Sequence, residues 1–108
     1  MLVSKKFESG TEPGTVLSLK LVNGDELVVK LSNETTSSYE VTGPMTVLPT
    51  QTGVKLINAM FTVEPGKDFS ISKDHVMMAH PAAEPVADHY REITTGIKTV
   101  RNESRIIV

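Results

Sequence analysis

Apolar residues fall in short runs along most of this chain, and polar turn-forming residues punctuate them. Val16, Leu17, Leu19, Leu21 and Val22 make the first run, and Leu27-Val28-Val29-Lys30-Leu31 the second. The second is rich in branched side chains that fit a pleated, half-buried surface. Asn23-Gly24-Asp25-Glu26 turns the chain between them, since Asn and Gly tolerate the positive φ that a tight hairpin demands. Ser32 to Ser38 (SNETTSS) is polar and ends the second strand. Tyr39 to Thr42 resumes extended structure, Gly43-Pro44 interrupts it, and Met45 to Leu48 continues it. Proline has no N–H to give a ladder, so Pro44 belongs at an edge or a bulge. Pro49 to Gly53 reads as a loop, Lys55 to Val63 as a fourth strand, and Glu64 to Lys67 as a turn. Phe69, Ile71 and Val76 to Ala79 predict a fifth strand, with Ser72-Lys73-Asp74-His75 lodged in its middle.

After Pro81 the period changes. Val86, Tyr90 and Ile93 stand at spacings of four and three, the stripe of an amphipathic helix. Pro85 suits its first turn and Gly96 the position past its end. Glu84, Asp88 and Glu92 line another face, and Ile106-Ile107-Val108 offers a sixth strand or a docking segment. The pattern therefore predicts five strands and then one helix, a small barrel or sandwich. Residues 1–14 read as a mobile leading segment, 15–96 as the folded unit, and 97–108 as a tail or extra strand.

At 108 residues the chain is expected to form one domain around one core. It has no cysteine, which excludes disulfides and thiolate metal sites. The N-terminus lacks a signal-peptide apolar core, and no run approaches the ~20 apolar residues of a membrane span. These features predict a soluble, cytoplasmic protein with no membrane partner. The net charge is −2 with no basic stripe, which disfavours duplex nucleic acid. The five aromatic residues are too few for a general single-strand binder that relies on several stacking platforms. A small nucleotide pocket built from backbone stays open.

No residue pattern here prescribes catalysis. His75, His80 and His89 match no standard zinc spacing, so neither metal nor cofactor is expected. The chain lacks a Cys nucleophile, a G-x-S-x-G elbow, an H-E-x-x-H helix and a phosphate-binding glycine loop. Ser70, Ser72, Asp74 and His75 are better read as a polar run at a strand kink than as a triad. Met45, Met60, Met77 and Met78 are expected to fill core space. The chain is expected not to be an enzyme.

The stretch Val16 to Ala79 resembles the Sm-like (LSm, Hfq-like) family of small bent β-barrels. Leu19-x-Leu21-Val22-Asn23-Gly24-x-x-Leu27-x-Val29 follows the family's first motif, and Phe69 to Met78 occupies the place of the second. The pairing of SISKDHVMMAHP with a downstream EPVADHYREITTG resembles more closely the divergent Sm-like proteins of tailed phages, cyanophages included. There are departures. Val28-Val29 stands where the family often keeps a glycine, and the helix lies at the C-terminal end. Ser32-Asn33-Glu34 and Ser72-Lys73 replace the Asp-x-x-x-Asn and Arg-Gly elements of RNA-binding members.

The resemblance implies a mainly β fold, a five-stranded bent antiparallel Sm-like barrel with a C-terminal helix. It also implies a homo-oligomeric ring of five to seven copies, joined through strands 55–63 and 69–79. A monomeric barrel whose tail covers the open edge is the alternative. The implied role is binding single-stranded RNA or acting in RNA-protein assembly, with Asn33, Lys73, Asp74 and His75 as the pore-side polar set. In it Lys73 contacts phosphate and Asn33 a base edge, although lysine lacks the planar fork of arginine. A phage origin would place the protein in the host cytoplasm. The rival expectation is a ring or adaptor that binds a phage or host protein and has lost RNA.

Overall fold

The computed structural model describes residues 12–64 and 66–95. The expected strand of Ile106 to Val108, the helix stop at Gly96 and nearly all of the leading segment lie outside them. Among the described residues six antiparallel strands form one sheet: β1 (Val16–Leu21), β2 (Glu26–Glu34), β3 (Ser38–Thr50), β4 (Gly53–Asn58), β5 (Asp68–Ser72) and β6 (Val76–Pro81). A 3₁₀ turn (Lys73–His75) joins β5 to β6, and one helix, α1 (Glu84–Thr95), follows. The strand order is β4-β3-β2-β1-β6, with β5 also paired to β3, so among the described residues the sheet has two ends and does not close. The mainly β architecture with a C-terminal helix agrees with the sequence reading. The strand count differs because the expected fifth strand is two strands. Phe69 and Ile71 pair with β3, whereas Val76 to Ala79 pair with β1.

Asn23-Gly24 does close the first hairpin. Gly24 N–H donates to the Leu21 carbonyl at 2.9 Å and Leu21 N–H to the Asp25 carbonyl at 2.8 Å. Of the two turn residues Asn23 and Gly24, only Gly24 takes positive φ, at +99°. Asn23 contributes by side chain instead: its Oδ1 accepts from Asp25 N–H at 3.0 Å, a local turn that mimics backbone.

Two bulges bend β2 and β3. Between Val28↔Met45 and Lys30↔Thr42, β3 sets Gly43 and Pro44 against Val29 alone. Between Leu31↔Val41 and Asn33↔Glu40, β2 carries Ser32 as the extra residue. Extra residues of this kind bend a strand and raise its twist, so no glycine is needed at Val28-Val29. Pro44 thus sits at a bulge, as its missing donor demands.

The first bulge also corrects the expected fourth strand. Asn58 pairs with Met45, and Ala59 N–H donates to the Pro44 carbonyl at 3.0 Å. There the ladder stops, and Met60 to Val63 leave the sheet instead of extending it. The chain rejoins β3 only at Asp68↔Thr42. β4 and β5 therefore lie end to end along one long strand. The expected loop at Pro49 shrinks as well, because β3 runs to Thr50 and pairs it with Gly53.

The sheet is buried on both faces, which explains the unbroken run Leu27-Val28-Val29. Successive strand residues point to opposite faces. Leu27, Val29 and Leu31 join Leu17, Leu19 and Val41 in one core. Val28 joins Val16, Met45 and Leu56 in the other, beneath Ala87 and Tyr90 of α1. The helix therefore packs on the sheet with the face predicted by its stripe. Ile93 is the exception, being largely exposed.

Tyr90 fastens the helix to the first bulge. Its side chain is 2% exposed, and its hydroxyl proton is shared between the Gly43 carbonyl at 2.8 Å and the Thr42 carbonyl at 3.1 Å. Burial pushes this hydroxyl up to about 12, against a smaller downward pull from the Lys30 backbone N–H. Gly43 has φ +57°, and a β-carbon there would lie 2.6 Å from the Tyr90 oxygen. Both the backbone and the space demand glycine.

Candidate functional site

The 3₁₀ turn is where distant parts of the chain meet. Its first residue, Lys73, donates N–H to the Ser37 carbonyl at 2.8 Å, at the far end of β2. Its last residue, His75, accepts from Val22 N–H at 2.9 Å, at the near end of β2. A straight nine-residue strand would span about 30 Å, yet three residues of turn touch both ends. Only a strongly curled β2 allows this, and the bulges supply the curl. Ser72 starts the turn by accepting Asp74 N–H on its Oγ at 3.2 Å, the role that makes serine a good helix cap.

The turn between β2 and β3 is ordered from within. Thr35 Oγ1 accepts from Ser38 N–H at 2.9 Å and Ser37 N–H at 3.2 Å. Thr35 N–H donates to the Ser38 carbonyl at 2.9 Å. The SNETTSS stretch is thus a compact turn held by its own hydroxyls.

Lys73 reaches over this turn. Its Nζ lies 2.5 Å from Glu34 Oε2 and 5.0 Å from the centre of the Tyr39 ring. An ammonium over an aromatic face is attracted by the ring's negative π surface. The Tyr39 hydroxyl is held above its ordinary range, first by burial and then by Glu34, with Lys73 pulling the other way. Beside this group, Glu40 Oε2 accepts from Ser38 Oγ at 2.7 Å and Ser70 Oγ at 3.0 Å.

The four residues expected from the sequence fall on this surface unequally. Lys73, Asp74 and His75 constitute the 3₁₀ turn itself, the last two exposed. Asn33 is exposed near the end of β2, opposite Glu40. The structure brings Lys73 against Glu34, the neighbour of Asn33, rather than against Asn33. Sequence reading missed Glu34, Tyr39, Glu40 and Ser70. The one available signal was the opposite charge of Glu34 and Lys73.

Chemically the surface can hold and orient. The Glu40 carboxylate is bonded to two serine hydroxyls, those of Ser38 and Ser70, which fixes its orientation. His80 directs Nδ1 to the Pro81 carbonyl at 2.9 Å, on β6. Among the described residues no three His, Asp or Glu side chains come together in a way that would hold a metal ion. Nor is any described helix long and apolar enough to cross a membrane. No protein-family model matches the chain, and no curated protein matches it as a relative.

Proposed function

We propose that this chain is a non-enzymatic Sm-like protein that works as a homo-oligomeric ring of five to seven copies and binds single-stranded RNA on its turn surface. The observation that carries the assembly is the pair of one-sided edges. Among the described residues, β4 and β5 pair only with β3, and β6 pairs only with β1. Among the described residues each edge lacks a ladder partner on one side, and on β6 that side stands beside Met77 and Met78, 58% and 60% exposed. Open apolar edges invite pairing with another chain unless something covers them. Joining the edge that β4 and β5 (the expected strand 55–63 and the start of 69–79) share in one copy to the β6 edge of the next covers open strands on both copies, and a ring repeats that junction at every copy. Repetition then multiplies weak sites into useful avidity.

A specific observation favours the second reading, a ring that binds protein. Lys73 is already engaged by Glu34 and Tyr39, and Glu40 and Asp74 add negative charge nearby. A phosphate would have to take Lys73 from Glu34. Fluorescence anisotropy against labelled U-rich, A-rich and mixed RNA, at low and near-physiological salt, separates the readings. RNA function requires saturable, salt-sensitive binding that Lys73→Ala weakens. No binding at micromolar protein, even at low salt, leaves the protein-binding ring.

A further inference from the structure

Asparagine followed by glycine is prone to react with its own backbone, because no side chain on the glycine screens the amide nitrogen between them. Of the four asparagines here, only Asn23 precedes a glycine. Asn33, Asn58 and Asn102 precede glutamate, alanine and glutamate. Asn23, Gly24 and Asp25 are all exposed at the tip of the β1–β2 hairpin. A β-carbon at Gly24 would meet no atom within 4 Å, so a small ring closing there has room.

The closed hairpin nevertheless withholds both reacting groups. The nucleophile is the Gly24 nitrogen, and its N–H donates to the Leu21 carbonyl at 2.9 Å. The electrophile is the Asn23 amide carbon. Its oxygen accepts from Asp25 N–H at 3.0 Å, and its nitrogen donates to the Asp25 carboxylate at 3.2 Å. That carboxylate also opposes loss of the Gly24 proton, because a second negative charge close by is repelled.

We propose that Asn23 is a self-modification site gated by its own hairpin, converting to isoaspartate or aspartate only when the turn opens. In the open turn the Gly24 nitrogen, having given its proton to water, attacks the Asn23 amide carbon. Ammonia leaves, taking up a proton from solvent, and a succinimide joins the two residues. Water then opens the ring. Attack at the Asn23 main-chain carbonyl yields isoaspartate, and attack at the former side-chain carbonyl yields aspartate. The net reaction consumes water and releases ammonia, with no oxidant and no reductant.

Either product alters more than the tip. Aspartate loses the amide donor and sets a carboxylate against that of Asp25. Isoaspartate adds a carbon to the main chain between Leu21 and Asp25, whose backbones are bonded at 2.8 Å. Val22, inside that loop, donates its N–H to the His75 carbonyl at 2.9 Å. The change therefore reaches the 3₁₀ turn that carries Lys73 and Asp74.

Peptide mass mapping tests this by following Asn23 in the folded protein and in the same protein unfolded in guanidinium chloride, both at mildly alkaline pH. In the unfolded chain Asn23 is expected to convert before Asn33 and Asn58. In the folded protein it is expected to convert about tenfold more slowly or slower still, since only the open fraction reacts. Asp25→Ala, which frees the Asn23 amide nitrogen, is expected to speed conversion of the folded protein severalfold and leave the unfolded chain unchanged. In the isoaspartate form the Val22 amide is expected to exchange with deuterium faster. Equal rates in folded and unfolded protein overturn the gate. An unfolded chain in which Asn23 outlasts Asn33 and Asn58 overturns the site. An unchanged rate in folded Asp25→Ala, or unchanged Val22 exchange after conversion, overturns the parts assigned to Asp25 and to His75.

Discussion

Gly43→Ala tests the junction of helix and bulge most directly. The new β-carbon imposes two separable costs. A non-glycine residue at φ +57° costs about 1–2 kcal/mol in any surroundings. The second cost comes from Tyr90, whose oxygen lies 2.6 Å from where that carbon must go. Tyr90 is buried and its hydroxyl is bonded to the Thr42 and Gly43 carbonyls, so it cannot swing aside freely. Displacing it forfeits a hydrogen bond of about 1 kcal/mol and disturbs packing by a similar amount. Together these give about 2–4 kcal/mol, enough to move a urea midpoint by roughly 1–2 M. Tyr90→Phe isolates the second part. With the oxygen gone, the nearest ring atom to the new carbon is 3.6 Å away, an ordinary contact. In the Tyr90→Phe background, Gly43→Ala should then cost only the backbone share, about 1–2 kcal/mol. Urea unfolding of the four proteins, with equal slopes, measures the coupling. Equal costs of Gly43→Ala in both backgrounds would refute the steric argument.

Three further outcomes follow from the same geometry. Because burial raises the Tyr90 hydroxyl to about 12, its stabilising contribution is complete below pH 10 and is lost as pH rises from about 10 to 12, where the unfolded chain ionises first; alkaline unfolding should be shallower over that window in Tyr90→Phe. Gly24→Ala meets no atom within 4 Å, so at φ +99° it should cost the backbone strain alone, about 1–2 kcal/mol by thermal melting. Glu34→Gln breaks an ion pair whose partners are 29% and 23% exposed, so after solvent screening it should cost no more than about 1 kcal/mol; it also releases Lys73, and RNA anisotropy should strengthen if that lysine is the phosphate contact.

Much of the fold was legible because it is local. The hairpin at Asn23-Gly24, the bulge position of Pro44 and the stripe of Val86 and Tyr90 each depend on a few neighbouring residues. The candidate surface was legible only in part. Lys73 and Glu34 lie 39 residues apart, and their contact depends on how far β2 curls. Curl comes from bulges, and a bulge at Ser32 has no cue in a stretch of serines and threonines. The departure of Met60 to Val63 was unreadable for a related reason. Its apolar residues look like strand, and the ladder ends there only because β3 bends at Gly43-Pro44 on the other side of the pairing.

By itself the sequence determined where β1 to β5 begin to within two residues, that a hairpin closes at Asn23-Gly24, and that an amphipathic helix follows, since turn chemistry and hydrophobic period act within a few residues. Tertiary structure decided that the last extended stretch divides between β3 and β1, that the helix lies against the second face of the sheet, and that Lys73 faces Glu34 and Tyr39. Those outcomes depend on the accumulated bend of paired strands, and bend is a property of the pairing rather than of either strand alone.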